Sequence, residues 1–282
     1  MKIKTIGVVG AGTMGGGIAQ VAVMKGFSVL LYDVNQELVD MALNKFSVRL
    51  DKQVADKKIN AAKKAAILES IIPTTELEAF SHADFVIESV VEKLAVKKEV
   101  FAKLDRFCRP EVIFVTNTSS MSITEIASAT GRPERVAGMH FFIPPTVMDV
   151  VEITRGYYSS DETIATVKGI AEQMEKKYVE VKKDTPGFIA NRVYTPLLLE
   201  AFRVYEEGIA SKEDIDAAMK LAYKLPIGPF ELADYIGLDT LQSGLEYFQG
   251  ELGPRWSPTL GLKRLVKAGR LGKKVGKGWY DY

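Results

Sequence analysis

Two residues twelve positions apart, His140 and Glu152, are the candidates for acid–base chemistry in this chain. Residues 136–139 predict a buried strand that ends just before His140, and Glu152 lies within a second apolar strand at residues 149–154. A carboxylate in such a strand needs a partner. If the two side chains meet, the carboxylate accepts the Nδ1 proton and leaves Nε2 to exchange a proton with a substrate. The alternative is a structural ion pair. The other histidine, His82, lies in a polar turn and is expected to be exposed.

A glycine-rich segment near the start of the chain is typical of a phosphate-binding turn. Residues 6–9 predict a strand that leads into Gly10-Ala11-Gly12-Thr13-Met14-Gly15, where a helix of small residues begins near Met14. Gly10 suits the sharp turn, Gly12 lets the backbone approach a pyrophosphate, and Gly15 lets helix and strand pack closely. The N–H groups at the start of the helix then favour the phosphates. An ordinary glycine-rich turn is the alternative.

An acid follows the second predicted strand, which spans residues 27–32 and ends on Asp33. This is the position, about 20 residues beyond the glycines, at which a carboxylate binds the ribose hydroxyls of a dinucleotide. Because Asp33 would repel a 2′-phosphate and no arginine follows closely, the sequence favours NAD over NADP. The alternative role for Asp33 is to cap the next helix.

More polar residues follow two further predicted strands. Residues 83–88 predict a strand that leads to Glu92 and Lys97 at the start of a helix at residues 93–107, and a strand at 112–116 leads into Asn117-Thr118-Ser119-Ser120. Ligands of doubly wound proteins bind beyond the carboxyl ends of the strands. We therefore expect these side chains to line a ligand crevice. Helix capping is the alternative for one of the serines, since Ser122 or Thr124 with Glu125 resembles a helix start.

The alternation of strand and helix patterns predicts an α/β fold with a doubly wound, mostly parallel sheet of the Rossmann type. Residues 178–181 predict its last strand, and Ile71-Ile72 is too short to interpret. Residues 36–70 predict an inserted helical hairpin that ends at Pro73. Its basic face would overhang the glycine-rich turn and meet a second phosphorylated ligand, or would simply be solvated.

Pro186 and Gly187 mark a break in the pattern, and all segments beyond it are helical. We therefore expect a dinucleotide-binding domain at residues 1–184 and an all-α domain for substrate binding and dimerisation at residues 185–282. The helical domain has more apolar side chains than one small helical layer would bury. This favours a homodimer or higher oligomer, although core packing explains most of these residues equally well.

The overall composition excludes several classes of protein. The 282 residues carry a formal net charge of +1, which argues against a nucleic-acid or membrane surface. The single cysteine, Cys108, cannot form an internal disulfide, and no signal-peptide pattern precedes the first strand. The sequence therefore predicts a cytoplasmic protein, and no metal site is predicted.

Beyond these local motifs, the chain resembles the L-3-hydroxyacyl-CoA dehydrogenases, and among them the bacterial 3-hydroxybutyryl-CoA type. The similarity runs nearly from end to end. The segments that carry it include GAGTMGGGIAQ (10–20), ESVVEKLAVKKEVF (88–101), NTSSMSITEIA (117–127), GMHFF (138–142), DTPGFIANR (184–192), GPFELADYIGLD (228–239) and GKKVGKGWYDY (272–282).

The resemblance implies an enzyme that interconverts short-chain L-3-hydroxyacyl-CoA and 3-ketoacyl-CoA with NAD. It implies that His140 is the general base, that Glu152 orients it, and that Ser119 and Asn191 bind the reacting oxygen and the substrate. It further implies that cofactor contacts come from Glu92, Lys97, Asn117, Ser119 and Lys274, and that CoA contacts come from Ser119, Arg49, Lys52 and Lys57.

Two residues depart from the family pattern. Ile143 replaces the asparagine of the usual HFFNP segment, and Asp149 replaces a customary lysine. We expect the chemistry to survive with altered cofactor affinity or acyl-chain preference. Two other functions remain open: a dehydrogenase of a free hydroxy acid, of the carnitine or gulonate type, and an NAD-binding protein that has lost catalysis.

Overall fold

The computed structural model describes residues 3–282, which divide into two compact units between Thr185 and Pro186. The first unit contains one eight-stranded sheet. Its strands are β1 (Thr5–Val9), β2 (Ser28–Tyr32), β3 (Ile71–Thr74), β4 (Phe85–Glu88), β5 (Ile113–Thr116), β6 (Val136–Phe141), β7 (Val150–Thr154) and β8 (Lys177–Val181).

The strand order is β3-β2-β1-β4-β5-β6-β7-β8, and β1 to β6 all run parallel. β7 is antiparallel to β6, and β8 is parallel to β7. The order reverses direction between β1 and β4, so the loops after these strands flank the crevice in which doubly wound sheets bind ligands. The predicted fold class, a mostly parallel Rossmann-type sheet, is confirmed.

Helices connect the strands of the first unit, and several of these helices have an N-cap residue whose side chain accepts a backbone hydrogen bond. They are α1 (Thr13–Met24), α2 (Gln36–Ala55), α3 (Ala61–Glu69), α4 (Leu94–Phe107), α5 (Ile123–Ala127) and α6 (Asp161–Gln173). Asn35 and Asn60 cap α2 and α3 by accepting backbone N–H groups of the first turn. These two helices form the predicted insertion between β2 and β3, and Lys64 of α3 is paired with Asp51 of α2.

The structure adds a strand that the sequence left uninterpreted. Ile71 and Ile72 belong to β3, which also includes Pro73. The proline, which has no N–H to donate, is tolerated because β3 lies at the edge of the sheet, where one side of the strand makes no ladder hydrogen bonds. The predicted end of the strand at residue 139 was wrong: His140 lies inside β6, because pairing with β7 extends the strand to Phe141.

The second unit is helical, with α7 (Ala190–Glu206), α8 (Lys212–Tyr223), α9 (Pro229–Ile236), α10 (Leu238–Leu252) and α11 (Leu260–Lys267). Its core contains an aromatic cluster. The ring of Trp279 stacks on that of Phe202 with 5.1 Å between the ring centroids, and it meets the ring of Phe230 edge-on with 4.9 Å between the centroids. Other apolar side chains remain exposed, among them Leu221 and Tyr223. No helix within residues 3–282 combines the length and apolar character needed to span a membrane.

A buried carboxylate fastens residues 279–282 to the second unit. Asp234 of α9 is fully buried, and its Oδ1 accepts the backbone N–H of Trp279 at 2.8 Å. Its Oδ2 accepts the N–H of Tyr280 at 2.9 Å and the hydroxyl of Tyr282 at 3.1 Å. Removal of this carboxylate would leave two backbone donors without their acceptor.

We expect Asp234→Ala to lower the free energy of unfolding by about 3 kcal/mol, because unpaired buried donors pay their full desolvation cost. The matched control is Asp281→Ala, which removes an exposed carboxylate paired with Arg270 and should cost no more than about 0.5 kcal/mol. Urea unfolding followed by circular dichroism measures both. Equal midpoints for the two variants would contradict this account of the anchor.

Candidate active site

Each glycine of the turn after β1 has a different structural requirement. Gly10 has a φ of +103°, and a Cβ at this residue would lie 2.5 Å from the carbonyl oxygen of Ser89. A Cβ on Gly15 would lie 1.8 Å from the carbonyl oxygen of Gly10, so a side chain there would separate α1 from the turn. A Cβ on Gly12 would meet nothing within 4 Å. The absence of a side chain at Gly12 therefore keeps space open beside the backbone, as a bound pyrophosphate requires.

The start of α1 also fits a phosphate group. Gly12 is the N-cap residue and supplies no side-chain hydrogen bond, and the first turn contains no acidic residue. The first N–H groups of a helix have no partner within the helix, and the dipole adds positive potential there. The residues present thus fit a dinucleotide, through backbone N–H groups and an open space where the pyrophosphate would lie.

Asp33 contacts this turn directly. Its Oδ2 accepts the backbone N–H of Ala11 at 2.8 Å, and its Oδ1 accepts the N–H of Val34 at 2.8 Å. The N-cap of α2 is Asn35, whose side chain accepts from Glu37. The alternative interpretation of Asp33 as the cap of α2 was therefore wrong. The carboxylate stands at the carboxyl end of β2, where a ribose-binding acid is found in Rossmann folds.

A buried charge network lies at the carboxyl end of β4. The Nζ of Lys97 lies 2.8 Å from Oε1 of Glu88 and 3.1 Å from Oε2 of Glu92. Burial alone would lower the pKa of Lys97, but the two carboxylates outweigh burial and raise the pKa above its usual value. Lys97 is therefore a charged residue inside the protein, with 1% of its surface exposed.

The loop after β5 is held to its neighbours by side-chain hydrogen bonds. The amide of Asn117 donates to Oγ of Ser89 at 3.2 Å and accepts the N–H of Phe141 at 2.8 Å, so it connects β4, β5 and β6. Glu92 accepts the hydroxyl of Thr118 and, at 3.1 Å, the backbone N–H of Ser119.

The next residues along this loop serve α5. Ser122 accepts the N–H of Glu125 and is the N-cap of α5, as the capping interpretation allowed. The hydroxyl of Ser122 and the backbone N–H of Thr124 both donate to Oδ2 of Asp184, each at 2.7 Å. The start of α5 is thus tied to the last residues of the first unit.

His140 and Glu152 are directly opposite each other in the antiparallel ladder of β6 and β7. The Nδ1 of His140 lies 2.8 Å from Oε2 of Glu152. Glu152 is 1% exposed and His140 is 6% exposed, and the ring of Phe142 lies 4.7 Å from the imidazole. The predicted pairing is therefore present. A carboxylate at Nδ1 fixes the proton on that nitrogen and directs the acid–base function to Nε2.

The remaining predicted site residues lie elsewhere. Asn191 and Lys274 belong to the second unit. Asn191 is in the first turn of α7. The Nζ of Lys274 lies 2.6 and 2.7 Å from the two carboxylate oxygens of Asp239. On the inserted hairpin, Arg49 donates to Gln20 at 2.8 Å, whereas Lys52 and Lys57 are exposed.

The two residues that depart from the family pattern are both exposed. Ile143 follows β6 and is 51% exposed, so an apolar surface occupies the position three residues after His140. Asp149 precedes β7, and its carbonyl oxygen accepts the backbone N–H of Lys177. The hydrogen bond between His140 and Glu152 forms even though Ile143 and Asp149 depart from the family pattern.

Sequence reasoning missed Glu88 and Ser89 as parts of the site, whereas it expected Thr118 to line the crevice. Glu88 is the one that a pattern could have revealed, because it is an acid at the end of the apolar run 85–87 and must have a buried partner. The contacts of Ser89 and Thr118 depend on which strands are neighbours, which no local pattern specifies.

Three features define a dinucleotide-binding protein of the Rossmann class: a mostly parallel sheet, a G-x-G-x-x-G turn after the first strand, and an acid at the end of the second strand. Comparison with known families gives the more specific result. The chain belongs to the 3-hydroxyacyl-CoA dehydrogenase family: the NAD binding domain of that family matches residues 5–185, and its C-terminal domain matches residues 187–282. The predicted family and the predicted cofactor, NAD, are confirmed.

Individual relatives match over almost their full length. The chain is 46% identical to the probable 3-hydroxybutyryl-CoA dehydrogenase of Bacillus subtilis, covering 100% of this chain and 98% of the relative. It is 42% identical to the human mitochondrial hydroxyacyl-coenzyme A dehydrogenase, covering 99% and 91%. Among solved structures, the (S)-3-hydroxybutyryl-CoA dehydrogenase of Ralstonia eutropha superposes with a TM-score of 0.95 at 40% identity, covering 100% and 99%.

The different surroundings of Gly12 and Gly15 give a prediction that separates binding from folding. Gly12→Ala should raise the Kd for NADH at least about tenfold, because its methyl group enters the space left for the pyrophosphate. It should cost no more than about 1 kcal/mol of stability. Gly15→Ala should cost about 3 kcal/mol, because its methyl group collides with the backbone of Gly10.

NADH fluorescence titration and thermal unfolding of both variants test this distinction. An unchanged Kd in Gly12→Ala would mean that the dinucleotide does not lie against this turn.

Proposed function

We propose that this protein interconverts L-3-hydroxyacyl-CoA and 3-ketoacyl-CoA with NAD(H), acting on short acyl chains. The observation that carries the proposal is the hydrogen bond of 2.8 Å between Nδ1 of His140 and Oε2 of Glu152, in a member of the 3-hydroxyacyl-CoA dehydrogenase family. The names of the relatives from Bacillus subtilis and Ralstonia eutropha support a 3-hydroxybutyryl-CoA substrate.

In this proposal His140 is the general base. Its neutral imidazole takes the proton of the substrate 3-hydroxyl at Nε2, and the buried carboxylate of Glu152 stabilises the imidazolium that forms. In the reverse direction the imidazolium returns the proton to the 3-keto oxygen. The role proposed for Glu152 is to hold the ring in one orientation and to balance the charge of the imidazolium.

Ser119 and Asn191 are proposed to hydrogen-bond the substrate oxygens and to stabilise the charge that develops there. Donors fixed in advance are worth a few kcal/mol in such a role, since they do not need to reorganise during the reaction. The backbone of Ser119 is fixed by its hydrogen bond to Glu92. That contact supports a donor held in a constant position.

Several residues are proposed to hold NAD. The turn from Gly10 to Gly15, including Ala11, Thr13 and Met14, binds the pyrophosphate, and Asp33 binds the adenosine ribose. Glu92, Lys97, Asn117, Ser119 and Lys274 line the remainder of the cofactor. When bound, NAD supplies the hydride acceptor for oxidation, and NADH supplies the donor for reduction.

The basic insertion is proposed as the CoA-binding surface, with Arg49, Lys52 and Lys57 near its turns. All three side chains are exposed and positively charged, as contacts with CoA phosphates require. We further propose a dinucleotide-binding role for residues 1–184, a role in substrate binding and dimerisation for residues 185–282, a cytoplasmic location, and a homodimer or higher homo-oligomer formed through the helical domain. The exposed apolar side chains of α8 support the last point.

Substrate class is tested by following NADH consumption with acetoacetyl-CoA and, separately, with acetoacetate. We expect turnover of the thioester and at least about a hundredfold lower kcat/KM for the free acid, because binding energy from the CoA portion contributes to the transition state. Equal rates would favour the free hydroxy-acid dehydrogenase. No turnover of either compound, with NADH still bound, would favour the non-catalytic NAD-binding protein.

The role of the histidine is tested by His140→Gln, with His82→Gln as the matched control. We expect His140→Gln to lower kcat for acetoacetyl-CoA reduction roughly 10²- to 10⁴-fold, the usual contribution of a positioned acid or base. His82 is exposed, and its replacement should leave the rate unchanged.

The pH dependence of the rate, measured on the same two variants, is a second test of the role of His140. Oxidation needs the neutral imidazole and should accelerate as pH rises, whereas reduction needs the imidazolium and should slow. These opposite trends should disappear in His140→Gln. Normal reduction by this variant would overturn the assignment.

A further inference from the structure

Glu88 is a fully buried carboxylate with three hydrogen-bond partners. It is the last residue of β4 and has no exposed surface. Its Oε1 accepts the ammonium of Lys97 at 2.8 Å and the backbone N–H of Val90 at 2.7 Å. Its Oε2 accepts the hydroxyl of Thr116, its neighbour in the ladder of β4 and β5, at 2.6 Å. Because it is completely enclosed, Glu88 acts on a ligand only through other residues.

Lys97 connects the buried Glu88 to the partly exposed Glu92. Its ammonium group lies between Glu88 and Glu92, whose side chain is 41% exposed. A buried ammonium in an apolar setting tends to lose its proton, and two carboxylates within 3.1 Å prevent this. With Glu88 present, Lys97 remains charged and keeps one position beside Glu92.

Glu92 then holds the loop that contains Ser119. Its Oε2 faces Lys97, while its Oε1 accepts the hydroxyl of Thr118 and the backbone N–H of Ser119. One carboxylate is thus fixed from both sides. A continuous series of contacts runs from the buried end of β4 to the backbone of Ser119.

We propose that Glu88 is a positioning residue for the proposed reaction: through Lys97 it fixes Glu92, and through Glu92 it fixes the Ser119 loop in the conformation that binds the dinucleotide. This inference rests on the proposed function, which assigns Glu92, Lys97 and Ser119 to the cofactor site. It adds a residue that touches neither cofactor nor substrate, and it makes Lys97 primarily the connection between two carboxylates.

The charge of Glu88 matters more than its volume in this arrangement. A buried ion pair is not generally more stable than apolar residues that fill the same space. What apolar residues would not supply is a fixed ammonium beside Glu92. Glu88→Gln keeps the size and one acceptor oxygen of the side chain and removes the charge, so it isolates this effect.

Other titratable groups lie on the elements that pack against α4. α4 packs against the short helix Leu77–His82, which carries Glu78 and His82, and against α5, which carries Glu125. Glu125 faces Lys98 at 3.5 Å. The charges that act on Lys97 are those of Glu88 and Glu92.

The experiment measures the Kd for NADH by fluorescence at a series of pH values from mildly acidic to mildly alkaline, because the loss of one carboxylate partner lowers the pKa of a buried lysine. For the wild-type protein we expect a Kd that is constant with pH. For Glu88→Gln we expect a Kd about tenfold higher, the effect of one lost charge-assisted hydrogen bond, that rises further with pH as Lys97 loses its proton.

Asp84→Asn is the matched control. Asp84 lies immediately before the other end of β4, where it accepts the N–H groups of Lys4 and Thr5 and pairs with Arg109 at 2.7 Å. It too is a carboxylate that accepts backbone hydrogen bonds and binds a cation. We expect it to lower the unfolding temperature and to leave the NADH Kd and its pH dependence unchanged.

A double-mutant cycle distinguishes positioning from general stabilisation. If Glu88 acts through Lys97, then Glu88→Gln should weaken NADH binding no further in a Lys97→Met background. Additive losses would mean that Glu88 acts by another route and would overturn the proposal. If Glu88→Gln does not fold, Glu88→Asp replaces it, since this variant shortens the side chain by one methylene and so withdraws the carboxylate from the ammonium of Lys97. We then expect a several-fold rise in the NADH Kd; an unchanged Kd would again overturn the proposal.

The two proposals fail in different ways. NADH binding is measured without substrate, so a Glu88→Gln protein that binds NADH as the Asp84→Asn control does would overturn this inference and leave the enzymatic function intact. Absence of turnover of acetoacetyl-CoA by the wild-type protein, with a pH-dependent Kd in Glu88→Gln, would overturn the enzymatic function alone.

Discussion

The hydrogen bond between the imidazole of His140 and the carboxylate of Glu152 depends on the direction of one strand. β7 runs antiparallel to β6, so the two residues are directly opposite in the ladder and their side chains leave the same face of the sheet. A shift of the register by one residue would turn Glu152 to the other face. The reversal of β7 in an otherwise parallel region thus fixes the distance between acid and imidazole through backbone pairing, before any side chain packs.

The other polar residues of the site follow a related rule. At the carboxyl ends of the strands, each side chain hydrogen-bonds a group at a neighbouring strand end: Asp33 after β2 binds Ala11 after β1, Glu88 of β4 binds Thr116 of β5, and Asn117 after β5 binds Phe141 of β6. These contacts connect β2 with β1 on one side of the crevice, and β4, β5 and β6 with one another on the other side. The crevice is therefore lined by groups that hold one another, which limits their motion when a ligand binds.

The sequence predicted those parts of the structure that depend on local patterns. The glycine turn, the acid at Asp33 and the inserted hairpin were all visible, because turn chemistry and helical periodicity are encoded within a few residues. β3 was missed because an edge strand with a proline lacks the usual strand composition. His140 was placed beyond β6 because the strand is extended by its partner, which a local pattern does not include. The burial of Lys97 was unexpected for the same reason: its two carboxylates come from a strand end and a loop.

One further feature concerns the chain near the boundary between the units. Oδ2 of Asp184 receives both the hydroxyl of Ser122 and the N–H of Thr124, so the chain leaves the first unit from a point fastened to the beginning of α5. The same few residues connect α5 to Ser119. Two hydrogen bonds and the short stretch from Ser119 to Ser122 therefore link the end of the first unit to the residue proposed to contact substrate. The position of Asp184, where the chain leaves the first unit, and the conformation of the loop that contains Ser119 are thus interdependent.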